Sequence, residues 1–124
     1  MKYSRMESKY MIKDDKYYLG KALDEIDTII NYSKDLDLET FENNPIYIDG
    51  IVFRMIQMSE YMNNISIEFK NQCPNVDWIS IKGFRNKLVH NYGGVDLRFV
   101  YLAITVDIPK LKIELMLILD ELNQ

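Results

Sequence analysis

Residues 46–70, IYIDGIVFRMIQMSEYMNNISIEFK, decide the fold class of this 124-residue chain. Their apolar side chains recur every three or four residues, which is the spacing of one helix face and not of a β-strand. That face comprises Ile48, Ile51, Val52, Met55, Met58, Ser59, Met62, Ile65 and Phe69. The stripe predicts one long helix over 46–70, whose methionine-rich face belongs to the core or to a subunit interface and not to a cofactor site.

The flanking sequence repeats this helical spacing. We predict a first helix from Asp14 or Asp15, both good N-cap residues, to about Lys34, and one turn over 40–43 that stops ahead of Pro45.

Three further helices are predicted over 77–91, 95–107 and 108–122. Asp107 is expected to be the N-cap of the last, because Pro109 is tolerated in a first helical turn. The sequence thus predicts an all-α, antiparallel up-and-down bundle of four to five helices in one domain, 13–124, after an extension, 1–12.

Composition excludes several classes of function. A formal net charge of −4 argues against a protein that coats nucleic acid non-specifically. The single cysteine, Cys73, cannot form an internal disulfide, and the chain has neither a membrane-length apolar run nor a signal peptide. We therefore expect a soluble, cytoplasmic protein, and with one histidine and one cysteine we expect no metal site.

The stretch RNKLVHNYGG, 85–94, places polar and ionisable side chains around the only histidine of the chain. Asn86 and His90 are four residues apart on one helix face, so the amide can bond one imidazole nitrogen and fix its tautomer. Arg85 and His90 point about 140° apart around the same axis. On one chain they would meet only if the helix distorts near Gly93 or the arginine curls around it. A twofold-related copy removes this difficulty, since the Arg85 and His90 of both chains can then line one cleft, which favours a homodimer over a monomer.

Two interpretations of this stretch follow from the residues alone. Histidine exchanges protons near neutral pH and arginine matches phosphate oxygens, so Arg85 and His90 could cut RNA without a metal. Alternatively, the stretch is a polar helix end, in which His90 interacts with the helix dipole and Arg85 pairs with a surface carboxylate.

The pattern Arg85, Asn86, His90 and Tyr92 resembles the R-x-x-x-x-H-x-Y signature of HEPN-domain toxins of the HepT type. The resemblance extends over about 13–121, including the lead-in CPNVDWISIKGFRNKLVHNY and the following VDLRFVYLAITVDIPKL. It departs from many relatives at Ser59 and Tyr61, where glycine and alanine are expected, while Glu60 keeps the acidic position.

The resemblance implies a HEPN-like bundle that dimerises with both signatures in a shared cleft. It implies a metal-independent endoribonuclease toxin of a type VII-like toxin–antitoxin pair, with Arg85 and His90 catalytic and Asn86 supporting them. It also implies a minimal nucleotidyltransferase antitoxin that transfers AMP from ATP to Tyr92, whose added charge and bulk would oppose RNA entry.

We expect Lys82, Lys87 and Arg98 to steer the RNA backbone near the cleft, and we expect neither DNA nor a membrane as a partner. The alternative is a non-catalytic HEPN module that binds RNA or a nucleotide as the scaffold of a complex.

Overall fold

A computed structural model describes residues 13–90, 94 and 96–124, without the side chains of 13, 14, 89 and 90. The predicted extension, 1–12, therefore lies outside the described residues. The described chain forms the helices α1 (Lys13–Ser33), α2 (Leu38–Glu42), α3 (Pro45–Asn63), α4 (Ile67–Gln72), α5 (Trp78–His90), α6 (Leu97–Leu102) and α7 (Ile108–Leu122). A π-helical turn, Ala103–Asp107, joins α6 to α7. The all-α fold class is confirmed.

The core lies between α1, α3, α5 and the joined α6–α7 helix, each of which contributes fully buried apolar side chains. The predicted methionine face of α3 belongs to this core, because Met55, Met58 and Met62 are all buried. Removing such side chains from water is the main favourable term in folding. The largest members of the core are Leu19, Ile26, Ile29, Phe41, Ile51, Met55, Met62, Leu88, Ile104 and Leu115.

Helices α1 and α3 run antiparallel. Near one end of the pair the rings of Tyr18 and Tyr61 are 6.5 Å apart between centroids, and in the middle Arg54 Nη1 lies 3.3 Å from a carboxylate oxygen of Glu25. Residues that come later in α1 therefore contact residues that come earlier in α3. Helix α3 also packs against α5, so it connects the first helix to the signature stretch.

The predicted helix over 46–70 is divided in two. Helix α3 ends at Asn63, and Ser66 takes an extended conformation (φ −63°, ψ 151°) as the N-cap of α4. The carboxylate of Asp15 accepts hydrogen bonds from the backbone N–H of Ser66, at 2.8 Å, and from its hydroxyl, at 2.7 Å. Asp15 is thus a residue inside α1 that holds the start of α4, and its prediction as an N-cap of the first helix is wrong.

Helix α7 begins at Ile108 as predicted, but Asp107 does not cap a new helix there. Asp107 keeps helical dihedrals (φ −73°, ψ −42°) and its side chain caps nothing. The Ile108 N–H instead donates to the carbonyl of Ala103, five residues back, so the helix widens for one turn and continues. This wider turn accommodates Pro109, which has no N–H to donate, without a break.

Among the described helices, none combines the length and the apolar character that crossing a bilayer requires.

Candidate functional site

Helix α5 carries Arg85, Asn86 and His90 of the signature and is anchored at its first turn. The carboxylate of Asp77 accepts from the Ser80 hydroxyl at 2.7 Å and from the Ser80 N–H at 3.0 Å, and these bonds lower the pKa of Asp77. The indole N–H of Trp78 donates to the carbonyl of Cys73 at 3.0 Å. Leu88, near the other end of the described helix, is buried in the core. The rotation of α5 about its own axis is thereby fixed.

Arg85 is held between two polar side chains. Its Nε donates to the carboxylate of Glu60 on α3, and its Nη1 donates to the amide oxygen of Asn86 at 3.0 Å. The arginine side chain is 30% exposed and that of Glu60 is 40% exposed. These two bonds use two of the five N–H donors of arginine and orient the guanidinium, and the side chain stays partly exposed. An anion can therefore approach an arginine whose position is already set.

Sequence reasoning placed Glu60 at an acidic position but gave it no role. The signal that could have identified it is the acidic position itself, because Glu60 lies on the core helix that was expected to pack in the same bundle as the signature arginine. The predicted contact between Asn86 and His90 stays a prediction, because the imidazole of His90 lies outside the described side chains. Tyr92 lies outside the described residues altogether.

Two lysines flank Arg85 on its own side of α5. Lys82 is exposed and lies three residues before the arginine, about 60° away around the axis. Lys70 of α4 approaches the same region, with its Nζ 3.4 Å from the carbonyl oxygen of Asn63 and 5.7 Å from the centroid of the Trp78 ring. Partial burial lowers the pKa of Lys70, and the positive charge of Lys82 lowers it further. The sequence did not single out Lys70, because only the tertiary fold brings α4 beside α5.

The other two predicted steering residues lie elsewhere. Lys87 projects about 160° away from Arg85 around α5, where its Nζ lies 4.1 Å from the centroid of the Phe99 ring. Arg98 is exposed on α6, directly before Phe99. The structure thus divides the predicted cations between two sides of α5. Lys82 shares a side with Arg85, and Lys87 faces α6.

Within the described part of the chain, no three His, Cys, Asp or Glu side chains converge where they could hold a metal ion. The described side chains on and beside α5 include cations, an amide, carboxylates and aromatic rings. Oriented guanidinium groups stabilise charge that develops on phosphorus, and lysines attract a polyanion. The arrangement suits the binding of a phosphodiester.

The described helices pack into an all-α bundle, as a HEPN-like fold requires. Residues 22–118 match the family described as "Ribonuclease HepT-like". The chain therefore belongs to the HepT-like ribonuclease family, and the resemblance inferred from the signature is confirmed.

Named relatives agree with this assignment. The chain is 32% identical over 114 residues to "Gamma-glutamylcyclotransferase and putative RNase MJ0434" of Methanocaldococcus jannaschii, covering 92% of this chain and 51% of that protein. It thus spans about half the length of that relative. It is 34% identical over 106 residues to "Putative RNase MJ1380" of the same organism, covering 82% of this chain and 94% of the relative.

A third relative is "Probable ribonuclease HepT" of Thermococcus cleftensis, which is 28% identical over 102 residues, covering 82% of this chain and 93% of the relative. No solved structure matches the chain significantly.

Proposed function

We propose that this protein is the endoribonuclease toxin of a type VII-like toxin–antitoxin pair, which cuts RNA without a metal. The observation that carries the proposal is the family match over 22–118, which includes the whole of α5 and its signature residues. Relatives named as ribonucleases cover most of the chain at about 30% identity. The oriented guanidinium of Arg85 also supports the proposal, because such a group binds phosphate oxygens.

In this proposal Arg85 stabilises the transition state. Attack on phosphorus places additional negative charge on the non-bridging oxygens, and a guanidinium whose position is already set needs no reorganisation to meet that charge. Glu60 and Asn86 act as positioning residues, since they fix the plane of the guanidinium without touching RNA.

His90 moves protons in the proposed reaction. The ribose 2′-oxygen forms a bond to phosphorus as the bond from phosphorus to the 5′-oxygen breaks. The 2′-hydroxyl gives up its proton and the leaving 5′-oxygen gains one, so the products carry a 2′,3′-cyclic phosphate and a 5′-hydroxyl. An imidazole with a pKa near 6.5 can act at either oxygen close to neutral pH.

The proposed site belongs to a homodimer. Arg85 and His90 point about 140° apart on one helix, and a second α5 related by a twofold axis would bring the arginine of one chain to the histidine of the other. The exposed outer surface of α5 supports this arrangement, because Ile79 is 86% exposed and Gly83 offers no side chain to obstruct close approach.

The proposed regulator is a minimal nucleotidyltransferase that transfers AMP to Tyr92. A phosphodiester-linked AMP two residues beyond His90 would add negative charge and bulk beside the cleft and oppose RNA. Intact mass of the protein co-expressed with its genomic neighbour tests this step. We expect mass increments of AMP that disappear in Tyr92→Phe, and an unmodified wild-type protein would contradict the regulatory part of the proposal.

The catalytic part is tested with protein free of antitoxin and of AMP. We expect wild-type protein to cleave single-stranded RNA in EDTA and His90→Ala to leave it intact at equal folded concentration. Cleavage that persists in His90→Ala would contradict the role of the histidine.

A non-catalytic module that binds RNA or a nucleotide is the second candidate. The pairing of Arg85 with Glu60 favours it, because a carboxylate partly neutralises the charge that would act on phosphorus. RNA binding that needs Arg85, without cleavage and without any need for His90, would support this candidate over the enzyme.

A further inference from the structure

A groove opens on the side of α5 that faces away from Arg85. It encloses about 540 Å³ between α5, α3 and the joined α6–α7 helix. Its floor includes Met55 and Met58 of α3, and Phe84 and Phe99 form part of its wall. This volume falls in the range of roughly 300–1,000 Å³ that is typical of small-molecule sites. The groove is therefore large enough for a nucleotide.

The two phenylalanines form an aromatic platform within the groove. Their ring centroids are 5.3 Å apart with an angle of 33° between the planes. Phe99 is 39% exposed, although aromatic side chains of this size usually pack inside. The ammonium of Lys87 lies over the Phe99 ring at 4.1 Å from its centroid. This exposed cation–π contact is weak, so an incoming flat ring can displace the lysine from it.

We propose that the Phe84–Phe99 platform stacks an unpaired base of RNA while Lys87 binds a phosphate of the same strand. The inference rests on the proposed ribonuclease function and adds to it a subsite for single-stranded substrate. Every base has a π-face, so stacking on an aromatic side chain holds a strand without requiring one sequence. A base inside a duplex is already stacked and paired, and it cannot enter the groove.

The charges around the groove set the direction of the strand. Lys87 lies three residues before His90, within about one helical turn of the reaction centre. Farther from it the lining includes the carboxylates of Asp77, Asp107 and Glu114, which outnumber the one other lysine of the lining, Lys110. Carboxylates repel phosphate but accept hydrogen bonds from N–H groups on base edges. The phosphate is therefore expected at Lys87, and the base is expected to point inward.

The test is equilibrium binding of a short fluorescent single-stranded RNA, measured by anisotropy with the His90→Ala protein so that cleavage cannot interfere. Phe99→Leu should weaken binding about fivefold or more. Lys87→Ala should lower the slope of log K against log salt by about 0.7. Phe53→Leu is the matched control, because Phe53 is 54% exposed on α3 and also has a cation, Arg54, 5.7 Å from its ring. It should bind like the parent protein.

A second measurement does not depend on how Phe99→Leu folds. RNA that contains 4-thiouridine is cross-linked to the same protein by light, and the attached peptide is mapped by mass spectrometry. Attachment at Phe84, Lys87 or Phe99 is expected, and attachment confined to other surfaces would overturn the proposal.

The outcomes separate this subsite from the ribonuclease function itself. Wild-type protein that cleaves RNA, with Phe99→Leu unchanged in binding and in KM, would overturn the subsite and leave the enzyme intact. Binding that Phe99→Leu weakens, in a wild-type protein that cuts no RNA, would support the subsite and contradict the enzyme. Equal affinity for duplex and single-stranded RNA would also overturn the subsite.

Discussion

Two arginines among the described residues are each paired with a glutamate of a neighbouring helix. Arg54 of α3 bonds Glu25 of α1, and Arg85 of α5 bonds Glu60 of α3. In the first pair a single nitrogen, Nη1, contacts both carboxylate oxygens at 3.3 Å, and the glutamate side chain is only 13% exposed. Hydrogen bonding and charge from Glu25 raise the pKa of Arg54 further above its usual value.

The second pair differs in what surrounds it. Arg85 donates hydrogen bonds from Nε to the carboxylate of Glu60 and from Nη1 to the amide oxygen of Asn86. The Glu60 side chain is 40% exposed. Lys82 and Lys70 lie on the same side and add positive charge there. The comparison teaches that an ion pair does not by itself make an arginine structural. Both pairs join two core helices, and in our proposal the second pair also orients a cation that acts on RNA.

Alanine substitution of each arginine should separate the two roles most strongly. We expect Arg85→Ala to lower the single-turnover rate of RNA cleavage by about 100-fold or more, since it removes charge stabilisation of the transition state. Arg54→Ala should stay within about twofold of wild type in rate. Both should melt slightly earlier than wild type by circular dichroism. Equal losses of activity in the two variants would show that the pairs do not differ in function.

Substitution of each glutamate should have a smaller effect. Glu60→Ala removes the acceptor that orients Arg85, and we expect kcat to fall about tenfold with little change in KM, because small misplacements of a catalytic group slow the reaction. Glu60→Gln should recover much of the loss, since its amide oxygen can still accept from Nε. Glu25→Ala is the matched control and should change the melting temperature but not kcat. A Glu60→Ala protein with normal kcat would remove the positioning role.

The smallest expected effect concerns the lysines around the second pair. Lys70→Ala should lower the slope of log K for single-stranded RNA against log salt by about 0.7, as expected for one lost phosphate contact. Lys112→Ala is the control, because Lys112 already bonds Asp27 at 2.8 Å on another surface. Its slope should equal that of wild type. Identical slopes in all three proteins would show that RNA does not pass Lys70.

Much of the fold could be predicted because its information is local. The spacing of apolar residues located α1, α3, α5 and α7. Asp77 directly precedes α5 and accepts from the Ser80 N–H, as aspartate commonly does at the start of a helix. The break after Asn63 could not be predicted, since it depends on Asp15, which is 51 residues from Ser66 in the chain. The continuous helix through Pro109 was missed for another reason. Proline is tolerated both after a π-helical turn and in the first turn of a new helix, so the sequence pattern does not distinguish the two structures.

The candidate site divides in the same way. Arg85, Asn86, His90 and Tyr92 are close together in sequence, so their pattern was visible without a structure. Glu60 is 25 residues from Arg85, and their contact depends on how α3 packs against α5. The platform at Phe99 likewise needs α6 to lie beside α5. Partners that come from another helix require the fold, whereas a motif on one helix does not.

The central claim is that this chain cuts RNA at α5 through attack by the ribose 2′-hydroxyl, with Arg85 and no metal. The most direct test is a single-turnover assay in EDTA with single-stranded RNA and with the same strand fully 2′-O-methylated, followed by analysis of the product ends. We predict fragments with 2′,3′-cyclic phosphate from the first strand only, and we expect Arg85→Ala to release them about 100-fold more slowly or slower still. Cleavage of the methylated strand, cleavage that needs added Mg²⁺, or unchanged cleavage by Arg85→Ala would contradict the claim.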